Sequence, residues 1–242
     1  NGGLVVVSAD DPSMHSSQNE QDSRFYGRFA MIPVLEPSTQ QEAYDMARYA
    51  FELSEKSGLP VMMRITTRLA HSRAGVERAN QKEQNEIHLP SDLKQFILLP
   101  ALARKRYKLL LDNQDVIEEA SSQSGYNQLY NGEDNSMGIV ACGIAYNYLM
   151  ENYPDRICPY PVLKIGQYPL PSGMLNELYD GCDSLLILEE GYPIYEELIR
   201  GYLNKGKTIK GRLDGTIPRD GELNPNKVAE ALNIDVPQGM PI

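Results

Sequence analysis

The feature that most constrains the fold is the alternation of short apolar runs with longer segments of helical periodicity. The run "LVVVSA" is rich in β-branched residues, which predicts a strand buried on both faces. The segment "QQEAYDMARYAFELSEKSG" then carries apolar residues at helical spacing, and "LPVMMRITT" predicts a second buried strand. A strand, a helix and a strand at this spacing form a βαβ unit, whose strands lie parallel. Residues 1–72 therefore predict part of a parallel α/β domain.

Capping residues indicate where several predicted helices begin. Ser38 stands three residues before Gln41, a capping-box arrangement at the start of the first long helix. Ser172 is the predicted cap of a shorter helix in the second half of the chain. Asn224, followed by a proline, predicts the start of the last helix, because proline fits the first helical position.

A second alternation begins near Met137. Strand-like runs separated by helical segments are "MGIVACG", "YPVLKIG", "CDSLLILEE" and "KTIKGRL". They predict a second α/β domain with its own parallel sheet. A polar stretch and a partly helical segment lie between the two alternations. The predicted organisation is therefore a first domain at residues 1–72, a linker with a partly helical segment at 73–135, and a second domain at 136–242.

Composition excludes several classes of partner. The chain has 242 residues, 41% of them hydrophobic, and a formal net charge of -10. Nucleic acids and anionic membrane surfaces require clustered positive charge, so neither is an expected partner. No apolar stretch reaches the roughly 18–20 residues that span a bilayer, and no segment has the pattern of a signal peptide. The chain starts at Asn1 without Met, which suggests a piece of a longer polypeptide.

The cysteines favour a reducing compartment. There are three, an odd number, and none is in C-x-x-C spacing, which argues against a disulfide framework or a cysteine zinc site. Cys142 and Cys182 lie beside strand-like runs and are expected to be buried small hydrophobes. We therefore expect a cytoplasmic protein.

Polar side chains follow two neighbouring strands of the predicted first sheet. "HSSQNEQDSR" comes shortly after the first strand, and "TTRLAHSR" comes at the end of the second. Because ligands of parallel α/β sheets bind at the carboxyl ends of the strands, the two segments could converge on one site. Their arginines and histidines suit a small carboxylate or phosphate. A solvated loop with turn-forming hydrogen bonds remains the alternative, and His15 and His71 lack the spacing of metal ligands.

Four motifs carry a resemblance to a known family. They are "DDPSMHSSQNEQDSR", "IPVLEPSTQQEAYDMARYAFELSE", "PVMMRITTRLAHSR" and "LILEEGYPIYEE". In this order they closely resemble the α subunits of indolepyruvate:ferredoxin oxidoreductases, within the thiamine-diphosphate-dependent 2-oxoacid:ferredoxin oxidoreductases. The resemblance covers nearly the whole chain and implies an internal fragment of such a subunit. It implies that residues 1–72 are the carboxyl-terminal half of a pyrimidine-binding domain and that residues 136–242 form a transketolase C-terminal-like domain.

The resemblance also implies site residues. The loop from Asp10 to Arg24 corresponds to the family stretch that lines the substrate entrance. His15 is the implied catalytic residue, stabilising an oxyanion or relaying a proton. The implied substrate-binding residues are Asp11, Gln18, Asp22, Arg24 and Arg68. Glu189 and Glu190 are expected to serve the fold and the subunit interface.

The complete enzyme implied by the resemblance oxidatively decarboxylates arylpyruvates, such as indolepyruvate, to aryl-acetyl-CoA. It uses thiamine diphosphate, Mg²⁺ and [4Fe-4S] clusters, passes electrons to ferredoxin, consumes coenzyme A, and requires a β subunit in an oligomer. The activating glutamate and the ligands of Mg²⁺ and the clusters are expected outside this chain, so the fragment alone should be inactive and bind no cofactor tightly. Two alternatives remain open: a structural module for subunit interaction, and a non-redox thiamine enzyme, either transketolase-like or a 2-oxoacid decarboxylase.

Overall fold

The computed structural model of the chain describes residues 2–86, 88–202, 207–218 and 221–235. The strands are β1 (Val5–Asp10), β2 (Val34–Leu35), β3 (Val61–Thr66), β4 (Gln128–Tyr130), β5 (Gly138–Cys142), β6 (Val162–Ile165), β7 (Gln167–Tyr168), β8 (Ser184–Leu188) and β9 (Thr208–Lys210). The helices are α1 (Arg24–Ala30), α2 (Gln40–Ser57), α3 (Thr67–His71), α4 (Pro100–Asp112), α5 (Gln114–Ser122), α6 (Ile144–Glu151), α7 (Ser172–Gly181), α8 (Ile194–Tyr202) and α9 (Pro225–Ala231), with a 3₁₀ helix at Leu93–Phe96. Residues 236–242 of the predicted second domain lie outside the described residues.

The first sheet contains four strands in the order β1-β3-β2-β7. Strand β3 pairs in parallel with β1 and with β2, as the βαβ pattern predicts. The register runs from Val5 opposite Val61 to Asp10 opposite Thr66, so β1 and β3 end at the same edge of the sheet. Strand β7 closes the other side of the sheet and is antiparallel to β2.

The prediction that the first strand is buried on both faces is wrong. Strand β1 is an edge strand of the described sheet, and its side chains Val6 and Val7 are 41% and 63% exposed. Strand β3, in the sheet interior, is buried along almost its whole length. A β-branched composition is common to both strands, and burial depends on whether another element covers them.

The second sheet has five strands in the order β4-β6-β5-β8-β9. All neighbouring pairs are parallel except β4 with β6. Helices α6, α7 and α8 connect the central strands, as the alternation in the sequence predicts. Strands β5, β6 and β8 are almost completely buried, which is typical of a parallel sheet covered on both faces. The α/β prediction, with two parallel sheets in succession, is therefore confirmed.

Helix α2 begins one residue later than the capping pattern predicts. The N-cap is Thr39, whose side chain accepts a hydrogen bond from the backbone N–H of Glu42. The Glu42 carboxylate in turn accepts from the backbone N–H of Ser38 at 2.9 Å. The predicted pairing of Ser38 with Gln41 is thus wrong by one residue.

Of the other two predicted caps, Asn224 is confirmed and Ser172 is wrong. Asn224 caps α9, since its side chain accepts from the backbone N–H of Lys227 at 3.0 Å. Helix α7 instead starts at Ser172 itself and has no side-chain cap, because the Ser172 hydroxyl points to Glu118 of α5.

The polar stretch after α3 lies exposed along helix α2. The backbone N–H of Glu77 donates to the Gln41 side chain at 2.7 Å, and Arg48 donates to the carbonyl of Asn80 at 2.7 Å. Helix α4 buries none of its side chains, whereas α5 buries Ile117 and Ser121. The polar stretch thus lies against helix α2, and α5 packs against β7 and α7.

A single residue carries the chain from the second sheet to the first. Strand β6 ends at Ile165 and β7 begins at Gln167, so only Gly166 lies between them. The Gly166 N–H donates to Asn127 Oδ1 at 2.8 Å, and its carbonyl accepts from Glu36 N at 2.8 Å. A Cβ at this position would lie 2.9 Å from Met46 Cε and 3.0 Å from the Tyr126 carbonyl oxygen, so a larger residue would crowd both neighbours. The two sheets also share one hydrophobic core cluster.

Candidate functional site

The carboxyl ends of strands from both sheets meet in one region. Strands β1 and β3 of the first sheet end at Asp10 and Thr66. Strand β8 of the second sheet ends just before Glu189 and Glu190. Arg64 of β3 donates to the carbonyl of Glu190 at 3.1 Å, which joins the two strand ends directly. Ligand sites of parallel α/β sheets form at such ends, so this region is the candidate site.

Asp11 folds the polar loop after β1. One of its carboxylate oxygens accepts from the backbone N–H groups of Ser16 and Ser17 at 2.8 and 2.9 Å. The other accepts from the Thr67 hydroxyl at the start of α3, at 2.7 Å. The hydrogen bonds from Ser16 and Thr67 hold the pKa of Asp11 well below its usual range, despite partial desolvation. Asp11 therefore fastens the loop to the end of the neighbouring strand.

The tip of this loop has an unusual backbone. Ser13 and Met14 have φ angles of 68° and 55°, in the left-handed region that residues other than glycine seldom adopt. The Ser13 N–H is held by the Glu20 carboxylate at 3.0 Å, and the Met14 N–H bonds to the Asp11 carbonyl at 3.0 Å. Such backbone strain persists only where surrounding contacts enforce it, and it is common at ligand sites. His15 follows directly and is 44% exposed in its side chain.

Behind the loop, two fully buried arginines hold the sheets together. Arg24 donates to Asp22 Oδ1 at 2.8 Å, to Glu189 Oε2 at 2.8 Å, and to the carbonyls of Glu190 and Tyr192 at 3.0 and 2.9 Å. Its guanidinium thus has protein acceptors on every nitrogen. Attraction by Asp22 raises the pKa of Arg24, although burial alone would lower it.

The second arginine, Arg64, bridges further carboxylates. It donates to Asp10 Oδ2 at 2.6 Å and to Glu36 Oε1. Glu36 also accepts from the Tyr168 hydroxyl of β7 at 2.6 Å. The network of Arg24, Arg64, Asp10, Asp22, Glu36 and Glu189 therefore spans both sheets, and we refer to it as the buried ion network.

A glycine turn closes the buried ion network from the second sheet. Gly191 has a φ of 94°, and a Cβ there would lie 2.9 Å from Asp22 Oδ2. Only glycine combines that backbone angle with so close an approach.

In front of the buried ion network, His15 and Arg68 meet on one carboxylate. Arg68 donates to both oxygens of Glu222, through Nε to Oε1 and through Nη2 to Oε2 at 3.0 Å. His15 Nε2 lies 3.3 Å from Glu222 Oε2. Hydrogen bonding to Glu222 raises the pKa of Arg68. The predicted catalytic residue His15 and the predicted substrate-binding residue Arg68 are thus brought together, on a carboxylate that no sequence pattern indicated.

A small polar cavity, too narrow to hold a water molecule, lies beside the Arg68–Glu222 pair. Its walls include Thr66, Tyr148 and Glu190, and its remaining lining residues are Pro12, Thr67, Arg68 and Glu222. The hydroxyls of Thr66 and Tyr148 and one carboxylate oxygen of Glu190 are buried and have no hydrogen-bond partner among the described residues. Burial raises the pKa of Glu190 to about 7, against lowering by the Leu223 N–H and by Arg64.

A wider cleft adjoins this cavity on the other side of Arg68. It has a volume of about 460 Å³ and shares Arg68 and Tyr148 with the small cavity. Leu69, Ile144 and Pro225 give it apolar walls. The volume falls within the range of roughly 300–1,000 Å³ that is typical of small-molecule sites.

The predicted site residues occupy different environments. Asp11 fastens the loop, whereas Asp22 and Arg24 are buried in the ion network. Gln18 lies exposed on the loop surface. His15 and Arg68 face the Glu222 carboxylate. Direct contact of these side chains with a substrate stays a prediction, although each nitrogen of the buried Arg24 guanidinium already donates to a protein acceptor.

Several important residues were missed because their partners are distant in the chain. Arg64 interrupts the apolar strand "VMMRIT", and such a charge in a buried strand is the signal that could have identified it. Glu222 and Tyr148 carry no comparable signal, whereas Thr66 belongs to the polar segment that the sequence analysis placed at the end of the second strand. Glu189 is buried against Arg24, so its contribution to the fold is direct.

Side chains that commonly bind transition metals do not cluster in the described part of the chain. No group of three or more His, Cys, Asp or Glu side chains among them converges on a metal position. Cys142 and Cys182 are buried in the core, as expected, and burial raises the pKa of both thiols. The donors needed for a [4Fe-4S] cluster are therefore not assembled by this part of the chain. Within the same residues, no helix is both long and apolar enough to cross a membrane.

Comparison with known proteins finds close relatives. No protein-family model matches the chain. The indolepyruvate oxidoreductase subunit IorA of Methanothermobacter thermautotrophicus is 40% identical over 237 residues, which are 96% of this chain and 38% of that protein. The subunit of the same name from Pyrococcus abyssi is 38% identical over 244 residues, or 96% of this chain and 37% of that protein. The chain thus spans less than two fifths of the length of these relatives.

Solved structures show the same fold. A 2-oxoglutarate:ferredoxin oxidoreductase from Magnetococcus marinus matches with a TM-score of 0.64 at 13% identity, covering 96% of this chain and 48% of that one. A split-gene transketolase matches with a TM-score of 0.52 at 13% identity, covering 95% and 65%. The resemblance predicted from the sequence is therefore confirmed: the chain is similar over 96% of its length to part of the indolepyruvate oxidoreductase subunit IorA, and it has the fold of the 2-oxoacid:ferredoxin oxidoreductases.

Proposed function

We propose that this chain is the segment of an indolepyruvate:ferredoxin oxidoreductase α subunit that provides a substrate-side loop and part of a subunit interface. The complete enzyme would oxidise arylpyruvates to aryl-acetyl-CoA, with coenzyme A and ferredoxin as co-substrates and a β subunit as partner. The observation that carries the proposal is the identity of 37–40% to proteins named IorA over 96% of the chain. The proposal also includes the predicted domain boundaries at residues 72 and 135 and a cytoplasmic location of the protein.

The loop after β1 supports a role at the substrate side. It lies at the carboxyl ends of β1 and β3, is fastened by Asp11, and has a strained tip next to the exposed His15. A positioned imidazole could relay a proton or stabilise an oxyanion. Asp22 and Arg24 would act indirectly, by fixing the loop's second end to the buried ion network. Thiamine diphosphate would supply the carbanion chemistry from residues outside this segment.

Exposed apolar side chains support a role in subunit association. On α1, Tyr26 and Phe29 are 69% and 89% exposed, and Val7 on the edge strand is 63% exposed. Tyr26 and Phe29 are three residues apart and so lie on one face of α1, and exposed apolar patches are typical of protein interfaces. We expect the segment alone to lack activity, because it spans only 38% of the length of the relative named IorA.

The test is arylpyruvate-dependent reduction of a one-electron acceptor by the complete enzyme with thiamine diphosphate, Mg²⁺ and coenzyme A. Replacing His15 by Ala should lower kcat by about 10²-fold or more, the usual contribution of a general acid or base. His88→Ala is the matched control, because His88 is 73% exposed and far along the chain from the loop. Equal turnover of the two variants, with the fold intact, would refute the role of His15.

A wild-type enzyme that oxidises no arylpyruvate would refute the proposed reaction. Absence of iron–sulfur clusters from the purified complete protein would then favour a non-redox thiamine enzyme. A protein that binds its partner subunit but turns over no 2-oxoacid would instead favour a purely structural module.

A further inference from the structure

We propose that helices α4 and α5 form a self-complementary docking surface for a second copy of this chain, with a twofold axis beside Leu111. The exposed side of these two helices is called the helix-pair surface. This association does not depend on the proposed reaction, and it uses helices other than α1, whose exposed apolar side chains are described above.

The first observation is the exposure of apolar side chains on these helices. Helix α4 buries none of its side chains, and Tyr107 and Leu111 on it are 57% and 43% exposed. Directly before α4, residues 96–99 are four consecutive large apolar residues with exposures between 46% and 79%. On α5, Val116 is 46% exposed. Exposed apolar patches of this kind commonly mark a protein interface.

The second observation is that the two helices form one elongated element. Only Asn113 lies between them, and its backbone is in the right-handed helical region, with a φ of -83° and a ψ of -8°. The Asn113 N–H donates to the Leu109 carbonyl at 3.1 Å, and the Ile117 N–H donates to the Asn113 carbonyl at 3.1 Å, so helical hydrogen bonds continue on both sides. Helix α5 anchors the element through the buried side chains of Ile117 and Ser121.

The third observation is the division of charge along this element. Residues 93–111 contain no Asp or Glu, and residues 112–119 contain no Lys or Arg. Leu111 therefore separates a basic half from an acidic half. The exposed cations of the basic half of α4 are Arg104, Lys105, Arg106 and Lys108, and the exposed carboxylates that follow are those of Asp112, Asp115 and Glu119.

A twofold axis beside Leu111 brings opposite charges together. In an antiparallel pair of helices, a residue before the axis lies beside the residue equally far after the axis in the second copy. Residues 104–108 of one copy thus lie beside residues 114–118 of the other. In such an interface each contact occurs twice, because both copies contribute the same surface. Opposite charges at matching positions guide association and suppress other pairings.

The same division of charge argues against other occupants. An anionic membrane would attract the basic half but repel the acidic half, and the two lie within one short element. A partner protein with an acidic groove would leave the carboxylates of α5 beside like charges. A second copy of this chain matches both halves at once.

The first experiment tests the contact at the axis itself. Leu111→Cys is introduced into the complete protein that contains this chain, and a short bismaleimide is added. Antiparallel helices pack about 8–10 Å apart, so the two introduced thiols should be linked and give a covalent dimer. Leu213→Cys is the matched control, because Leu213 is an exposed leucine outside the helix-pair surface, and it should stay unlinked.

The second experiment reverses the charges. Arg104→Glu combined with Arg106→Glu should weaken self-association at least about tenfold in sedimentation velocity at low salt, because like charges then face each other. Adding Asp115→Lys and Glu119→Lys to the same chain reverses both halves and should restore the affinity to within about threefold of the wild type. The linking yield of Leu111→Cys in these backgrounds reports on this contact even where other contacts also join the copies.

Controls and contrary outcomes are equally specific. Arg73→Glu combined with Arg78→Glu makes the same charge change at exposed positions outside the helix-pair surface and should leave self-association unchanged. No linking at Leu111→Cys while its thiol reacts freely with a monofunctional maleimide would overturn the proposal. A thiol shielded in dilute monomer would assign the surface to another segment of the same polypeptide, and one shielded only after a partner subunit is added would assign it to that subunit. Sedimentation of the wild type with phosphatidylglycerol vesicles, lost on reversal of Arg104 and Arg106, would assign it to a membrane; each of these three results also overturns the proposal.

Discussion

Replacing Arg24 by Met should be among the most destabilising single changes in this protein. The guanidinium is fully buried and contacts the carboxylates of Asp22 and Glu189, whose side chains are 0% and 1% exposed. Methionine fills a similar volume but leaves both carboxylates without their main partner. Breaking one buried ion pair costs about 3–5 kcal/mol. Arg64 Nε lies 3.8 Å from Asp22 and compensates in part, so we expect a loss of about 4 kcal/mol.

Chemical denaturation followed by circular dichroism measures this loss. For a chain of 242 residues, an unfolding entropy of about 2.1 cal/mol/K per residue converts 4 kcal/mol into a fall of about 8 °C in Tm. Arg28→Met is the matched control, because Arg28 is on the same helix but exposed, and should cost less than about 1 kcal/mol. Equal losses in the two variants would refute the conclusion that the buried ion network holds the sheets together.

Three further predictions concern single groups. Burial raises the pKa of Glu190 to about 7, above its value in the unfolded chain. The stability that comes from the bound proton is therefore complete below about pH 4 and is lost as the pH rises through 7. The free energy of unfolding of the wild type should fall by about 2 kcal/mol between about pH 5 and 7, and Glu190→Gln should lack this part of the decrease. Gly27→Ala would bring a Cβ within 2.1 Å of a Val34 methyl group, and urea denaturation should show a loss of about 2 kcal/mol, whereas Gly173→Ala, with open space around it, should lose almost nothing. Thr39→Ala removes the N-cap of α2 and should cost about 1 kcal/mol by the same measurement; an unchanged midpoint would show that the cap does not stabilise the helix.

The local parts of the fold could be predicted from the sequence. The βαβ unit and the second parallel sheet follow from the alternation of apolar runs and helical periodicity, which depends on residues close together in the chain. Strand β7 has two residues, too few to show any periodicity. The exposure of β1 could not be foreseen either, since composition does not reveal which strand lies at an edge.

The candidate site depends more strongly on distant contacts. The polar loop and its position at the strand ends were predicted, as was the convergence of His15 and Arg68 on one region. Their common partner Glu222 is 154 residues from Arg68, and Glu189 is 165 residues from Arg24. Such pairings depend on how the two sheets pack against each other, so no local sequence pattern indicates them. For the same reason, nothing in the surrounding polar run indicated that Asp22 and Arg24 are buried.

The passage of the chain from β6 to β7 through Gly166 has a mechanical consequence. One strand of each sheet belongs to the same short stretch, so a hinge motion between the sheets would have to break either the β6 pairing or the β7 pairing. The two sheets should therefore move as one rigid body and melt in one calorimetric transition, with equal van't Hoff and calorimetric enthalpies. A chain cut between the two alternations would leave the first sheet without β7, its antiparallel edge strand.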